Sequence, residues 1–401
     1  MAAAKVVCSE TWNFTDEIEA YENLTVLQWS GTDKLIITII VPIICTIGIL
    51  ANLAFLFTVA RVRRMQIVTN YYLVNLGVAD IVFMALTLGL YVNSYRYSPL
   101  RHNVPYQSSL GCWGTIYPFY LSYYTSILLV TLVAVERFFM ICMPIKYRLI
   151  KGKSRTVKMI AACWGVSLVL AALTTPRYGW LKHKCIVWPN TDDFRNVPVI
   201  RSGCYYINNE VAIFGETLLT VVLILSLLIS GFMYYKLIET LSKRPEEIVR
   251  RRSSIRSARR EENKTRRRNE VARILIINGI VFFLCQFPAR LIGVDRLIRL
   301  LTDTKQDHSA TIFAVANGLL LINSAINPFI YGLSSRFYRV AFCEAFGIAT
   351  FLRMERSTSL MGGSSFTLSQ SLNDASVRIR KDEQDADKRL SLNKGDPEEK
   401  N

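Results

Sequence analysis

Uninterrupted apolar blocks recur along the chain at 35–60, 71–93, 110–142, 158–176, 211–237, 272–294 and 311–333. A helix crosses a hydrocarbon core about 30 Å thick with roughly 20 apolar residues, so each block is long enough to span. Buried helices of soluble proteins keep a polar stripe at a spacing of about 3.6 residues. These blocks lack one: Leu218 to Phe232 reads LLTVVLILSLLISGF, and Leu35 to Leu50 is nearly as uniform. The pattern predicts an all-α membrane protein, a seven-transmembrane helix bundle over 34–333, preceded by an outer segment at 1–33. After the bundle it predicts a short amphipathic eighth helix at 334–346 and a disordered inner tail at 347–401.

Average composition conceals this division. The 401 residues are 51% hydrophobic and 20% charged, close to a soluble protein's mean. Such values exclude a mostly disordered chain, and nine dilute Cys exclude a small disulfide scaffold. The charge of +17 is informative only once it is placed along the chain. Basic residues are retained on the cytoplasmic side when they lie in short loops near spans. The connections after the first, third and fifth blocks carry Arg61, Arg63 and Arg64, then Lys146, Arg148, Lys151, Lys153 and Arg155, then an Arg-rich stretch around Arg250 to Arg268. Residues 1–33 are acidic, with Lys5 against Glu10, Asp16, Glu17, Glu19, Glu22 and Asp33, and hold glycosylation sequons at Asn13 and Asn23. The N-terminus is therefore expected outside and the C-terminus inside, in a multi-pass protein of the cell membrane. A third sequon, at Asn263, must lie inside on this topology. No apolar signal-peptide core precedes the first block, so the first helix itself is expected to direct insertion.

Polar residues inside spans are costly and generally face a bundle interior. Asp80 lies well inside the second block, and Asn52, Ser126, Asn323, Ser324 and Asn327 can surround it with oxygen and amide groups. Hard cations such as sodium prefer oxygen ligands; a purely structural polar network is the alternative. Apart from that allosteric sodium ion, no metal or cofactor is expected. Glu136 and Arg137 end the third block, where Arg137 can pair with Glu136 or swing to another helix or a partner. Pro288 and Pro328 each remove a helical hydrogen bond within the sixth and seventh blocks. Near the outer ends stand Glu216, Arg290, Asp295 and Arg296, with Tyr91, Tyr120, Tyr124 and Asn317 on other helices. Aromatic rings and a few charges at one depth suit a cavity for a peptide-sized polar ligand.

Taken in order, GILAN ending at Asn52, NLGVAD ending at Asp80, Cys112, Glu136-Arg137-Phe138, Trp164, FFLCQFP ending at Pro288 and NPFIY from Asn327 to Tyr331 resemble the rhodopsin-type (class A) G protein-coupled receptors. TNYYLVNLGVAD, ERFFMICMPIK, Pro288-Ala289-Arg290 and INSAINPFIY are similar to the peptide-receptor branch around thyrotropin-releasing-hormone receptors. The resemblance implies an extracellular ligand, an outward swing of the sixth helix, and exposure of Arg137, with Glu136 and Tyr331, to a heterotrimeric G protein, with Gq favoured. It also implies a disulfide from Cys112 to the loop before the fifth span, where Cys185 and Cys204 compete and Cys204 fits the family spacing better. Whether Cys8 and Cys185 form a second bridge stays open. Gln286 stands where the family usually has Trp, and no Pro interrupts the fifth span near Ser226. Tyr120 and Arg290 match positions important in the hormone receptors, but Tyr124, Ala289 and Asn317 stand where Asn, Tyr and Arg are expected. These departures imply a different ligand: a neuropeptide or short peptide hormone with an acidic or amidated end. Tyr120, Tyr124, Glu216, Gln286, Arg290 and Asn317 would line its site.

On the inner side, the third loop reads as an extension of two helices with a disordered centre whose charge attracts membrane lipid. Its tether between two spans argues against nucleic acid. Ser253 and Ser254 follow three arginines, and Ser357 to Ser371 offer further hydroxyls for phosphorylation and arrestin recruitment. Arg336 to Phe342 mixes basic and apolar residues as an interfacial helix does, and Cys343 can carry palmitate. The competing classes are an enzyme, a transporter, or a receptor of the same fold for a non-peptide ligand. His102, His183 and His308 all lie outside the spans, which disfavours metal-based intramembrane catalysis. Repeat symmetry expected of a transporter is not evident.

Overall fold

The computed structural model describes residues 7–250, 255–302 and 310–348, with the backbone alone over 241–275 and at 310, 311, 313 and 334. In chain order it comprises β1 (Cys8–Asn13), α1 (Glu17–Leu27), α2 (Gly31–Leu35), a π-helical turn (Ile36–Ile40), α3 (Val41–Arg61), α4 (Val68–Tyr97), α5 (Ser109–Cys142) and α6 (Pro144–Ile150). There follow α7 (Lys153–Thr174), β2 (Trp180–Val187), β3 (Ile200–Tyr205), α8 (Asn209–Arg250), α9 (Ile255–Thr302), α10 (Ala310–Ser334) and α11 (Arg336–Ala345).

Seven helices are long and apolar enough to cross a membrane, and each predicted block falls on one of them. Their burial is inverted relative to a soluble protein. Asp80 is 0% exposed and Asn52 1%, whereas Leu50 is 61% and Leu228 60% exposed. Outward apolar and inward polar groups are what hydrocarbon as solvent requires. Close packing uses small residues: a methyl group at Gly48 of α3 would meet Ala325 of α10 at 2.7 Å, so only glycine permits this approach. Asn52 ties the same helices, donating to the Gly48 and Ser324 carbonyls at 2.9 and 3.1 Å. Trp164 of α7 donates to Asn75 of α4 at 3.0 Å, and Thr131 of α5 meets Ser226 of α8 through their hydroxyls.

Helices α8 and α9 run on to Arg250 and from Ile255, so both extend past their apolar spans. Ser253 and Ser254, the side chain of Asn263 and the tail from 349 onward, with Ser357 to Ser371, lie outside the described residues. The eighth helix, α11, seats Tyr338, Ala341 and Ala345 inward. Arg64 and Glu344 form an ion pair between the first inner turn and α11. Cys343 is half-buried and free.

The segment before the first span is more organised than the sequence suggested. Strand β1 pairs in parallel with β2, and β2 pairs antiparallel with β3, giving the order β1-β2-β3. Disulfides join Cys8 to Cys185 and Cys112 to Cys204, each with 5.7 Å between Cα atoms. The first staples β1 to the sheet; the second anchors the sheet to the start of α5. Phe14, Ala20, Leu27, Leu100, Ile186 and Phe194 form a separate apolar cluster. Trp188 stacks on Phe194 at 5.5 Å, and Lys184 reaches Glu10 at 2.8 Å while lying over the Trp12 ring at 4.5 Å. Asn13 is exposed at the end of β1, whereas Asn23 donates to the Glu19 carbonyl at 2.8 Å within α1. Removing the Cys8–Cys185 bridge by Cys8→Ser with Cys185→Ser is expected to increase hydrogen exchange over residues 7–28, because the tether that restricts the opened chain is lost. Protection equal to the parent's would mean that the apolar cluster suffices to hold the segment.

Candidate functional site

The candidate functional groups occupy three levels of the bundle. At the end carrying the sheet, a 3-10 turn (Thr175–Arg177) follows α7 and turns Arg177 inward, where its side chain is 6% exposed. Arg177 forms an ion pair with Glu216 of α8, whose side chain is 1% exposed. A carboxylate this deeply buried requires a counter-charge, and Arg177 supplies it. Arg177 also donates to the Tyr120 hydroxyl at 3.5 Å and the Tyr178 hydroxyl at 3.4 Å. Sequence reasoning missed Arg177. The signal was an arginine directly after Pro176 at the end of an apolar block, opposite a carboxylate without an assigned partner.

Arg290 of α9 belongs to the same level. Its guanidinium lies over the Tyr123 ring at 5.7 Å, and its Nε and one Nη are buried without a hydrogen-bond partner among the described residues. Tyr123 in turn donates to Gln286 at 2.7 Å. Thus Tyr123, not Tyr124, links α5 to the sixth span. Tyr124 turns the other way, its hydroxyl 2.7 Å from Thr174 of α7. Arg296 donates to Tyr178 at 2.5 Å, and Asp295 pairs with Arg299 at 2.5 Å. Asn317 is half-buried on α10, and Tyr91 is half-buried on α4.

One level further in, Asp80 accepts from Asn327 at 2.7 Å and from Ser126 at 3.3 Å, with Ser324 beside it at the same cavity. Beside it lies a cavity of about 10 Å³, the room of a single water, bordered by Asp80, Ser122, Ser126, Gln286, Asn323 and Ser324. Asn52 joins this network through the Ser324 backbone carbonyl. Gln286 and Tyr123 border the cavity too, so one amide connects the outer charged level to the Asp80 level.

At the opposite end, of the arrangements open to Arg137, the local pair with Glu136 is not the one found among the described residues. Glu136 bonds Arg155 of α7 at 3.1 Å. Arg137 is 5% exposed; it reaches the Met140 sulfur at 3.4 Å, and its Nε has no hydrogen-bond partner among the described residues. Burial pushes the Tyr147 hydroxyl up to about 12, with the Glu136 carboxylate adding to it. Burial likewise raises Tyr338 to about 12, opposed by the Arg137 charge. Both phenols therefore stay protonated at neutral pH. Tyr338 donates to Asn70 at 2.8 Å, linking α11 to α4. Tyr331 is buried, its ring 5.4 Å from Phe55 and 5.7 Å from Tyr338.

A family model described as 7 transmembrane receptor (rhodopsin family) matches residues 51–331. The chain is 27% identical to neuromedin-U receptor 2 of Mus musculus, covering 76% of this chain and 74% of that receptor. It is 27% identical to the thyrotropin-releasing hormone receptor of Mus musculus over 77% of this chain and 78% of that one. With growth hormone secretagogue receptor type 1 of Mus musculus the identity is 24%, over 86% and 95%.

Proposed function

Since the chain belongs to the rhodopsin family of seven-transmembrane receptors, G protein-coupled proteins that catalyse no covalent chemistry, we propose that it is a receptor for a short extracellular peptide with an acidic or amidated end. The observation that carries this reading is the outer cluster of Arg177, Glu216, Arg290, Tyr120 and Tyr123, beneath a disulfide-stapled sheet. Charged and aromatic groups converging at one depth suit a polar chain end better than an apolar mediator. The relatives named for neuromedin U, thyrotropin-releasing hormone and growth hormone secretagogue support the same class. Glu216, Gln286, Tyr124 and Asn317 would complete the walls.

The acidic N-terminus, with glycans at Asn13 and Asn23, would face outside. Both disulfides sit at that end, which suits an oxidising compartment. Arg137, with Glu136 and Tyr331, would meet the G protein when the sixth helix swings out, the Gq class being favoured. Palmitate on Cys343 and the basic loop would hold the inner face to lipid, and the tail would recruit arrestin. A library of short peptides applied to cells expressing the chain, read by calcium and by cAMP, tests the reading. Activation by amines or lipid mediators and by no peptide would overturn it.

Sodium is the proposed ion at Asp80. A carboxylate ringed by serine hydroxyls beside room for one water-sized sphere fits a small hard cation, and Asp80, Ser126 and Ser324 would hold it, with Asn323 and Asn327 alongside. The ion would supply a positive charge that favours one packing of the bundle. Sodium chloride is expected to raise the melting temperature of the purified receptor above that in choline chloride, and Asp80→Asn is expected to abolish the difference. An equal salt response in both proteins would leave a network without an ion.

A further inference from the structure

Donors and acceptors in the outer cluster do not balance. Arg177 and Arg290 bring two positive charges, and Glu216 brings one negative charge that is already engaged by Arg177. Among these three side chains one excess positive charge remains, on Arg290, which lies over an aromatic face. Arginine has five N–H donors and no acceptor. Among the described residues no acceptor reaches Arg290 Nε or Nη1: Tyr123 presents its ring to the guanidinium, and its hydroxyl bonds Gln286. The Tyr120 and Tyr178 hydroxyls receive donors from Arg177 and, at Tyr178, from Arg296. Asp295, on the same helix, pairs with Arg299. The Glu216 carboxylate and the Arg290 guanidinium also approach each other across Gly293. A Cβ built there would collide with Glu216 Oε1 and lie 3.9 Å from Arg290 Nη1. Arg290 as a residue is half-buried, with Nε and one Nη covered, so an incoming group meets the other Nη first.

From this imbalance we infer that the ligand group received at Arg290 is a carboxylate, a free chain end or an acidic side chain, and not a carboxamide. The inference rests on the reading of the outer cluster as the ligand site. A carboxylate cancels the excess charge and accepts charge-assisted N–H bonds from the guanidinium. A carboxamide offers one acceptor oxygen, adds two N–H donors to a cluster already rich in donors, and leaves the charge uncompensated. Glu216 sharpens the choice. It repels a carboxylate that strays from Arg290 toward α8, and Arg177 holds it back from pairing with Arg290 itself.

The test has a ligand-free arm and a ligand arm. In the first, purified receptor and Arg290→Leu are melted in detergent without ligand. Removing an uncompensated cation while keeping apolar volume is expected to raise the melting temperature by at least about 2 °C. An equal or lower value would assign Arg290 a structural role and overturn the inference. In the second, one peptide library is synthesised twice, with carboxylate and with carboxamide ends and with neutral side chains, and is run beside a set of non-peptide mono- and dicarboxylic acids. The expected activators come from the carboxylate series, lose at least about tenfold in potency on Arg290→Gln, and recover part of it on Arg290→Lys. Equal potency of the two peptide series would overturn the inference while leaving the peptide reading intact. Activation by the non-peptide acids alone, with the same dependence on Arg290, would support the inference and end the peptide reading.

Discussion

Arg177→Ala is expected to destabilise the protein by about 3–5 kcal/mol, the cost of stranding one member of a buried ion pair. Glu216 is 1% exposed in its side chain and sits on a span, where neither water nor lipid headgroup can take over the role of the guanidinium. The alanine also removes the bonds to Tyr120 and Tyr178 that connect α7 to α5 and to the strand region. Glu216→Gln is also expected to be costly, because it strands the Arg177 cation in turn, and the double variant is expected to cost less than the sum of the two. Melting curves of the two single variants and the double variant give the coupling directly. Strict additivity would mean that the two side chains do not depend on one another. Impaired folding of Arg177→Ala should also appear as reduced surface expression, rescued in part by Glu216→Gln.

Arg137→Ala is expected to leave folding and surface expression near the parent's while lowering G protein activation by about 5–150-fold, the usual range of a coupling interaction. Arg137 is 5% exposed and, among the described residues, has no carboxylate partner: Glu136 is held by Arg155, and the guanidinium reaches the Met140 sulfur. A buried cation so weakly held has little to lose on moving to a G protein. Nucleotide exchange on added heterotrimer, normalised to receptor at the surface, measures the effect. Full exchange activity would remove Arg137 from the coupling machinery. Arg155→Ala is the informative companion, since it frees Glu136 to compete for Arg137.

Much of the architecture was legible because hydrocarbon imposes a simple rule. Any helix that spans must be apolar along about 20 residues, so the seven helices could be read from block length alone, and each block indeed falls on one spanning helix. Asp80 was legible for the converse reason: a carboxylate in such a block stands out, and the few polar residues of other blocks are its available partners. The structure brings Ser126, Ser324 and Asn327 to it. Arg177 was not legible, because it closes a block where an arginine ordinarily reaches for headgroups. Only the turn after α7 directs it inward to Glu216.

The linear order of apolar and polar residues determined which segments cross, which ends carry charge, and which buried polar groups need partners. Those are consequences of solvation, which each segment feels separately. The tertiary structure decided the pairings: Glu136 with Arg155 and not Arg137, Tyr123 and not Tyr124 with Gln286, and Cys8 with Cys185 beside Cys112 with Cys204. A pairing depends on the rotation of each helix about its axis and the path of each loop. Both are set by packing against neighbours remote in sequence, as at Gly48 and Ala325, so no single segment carries that information.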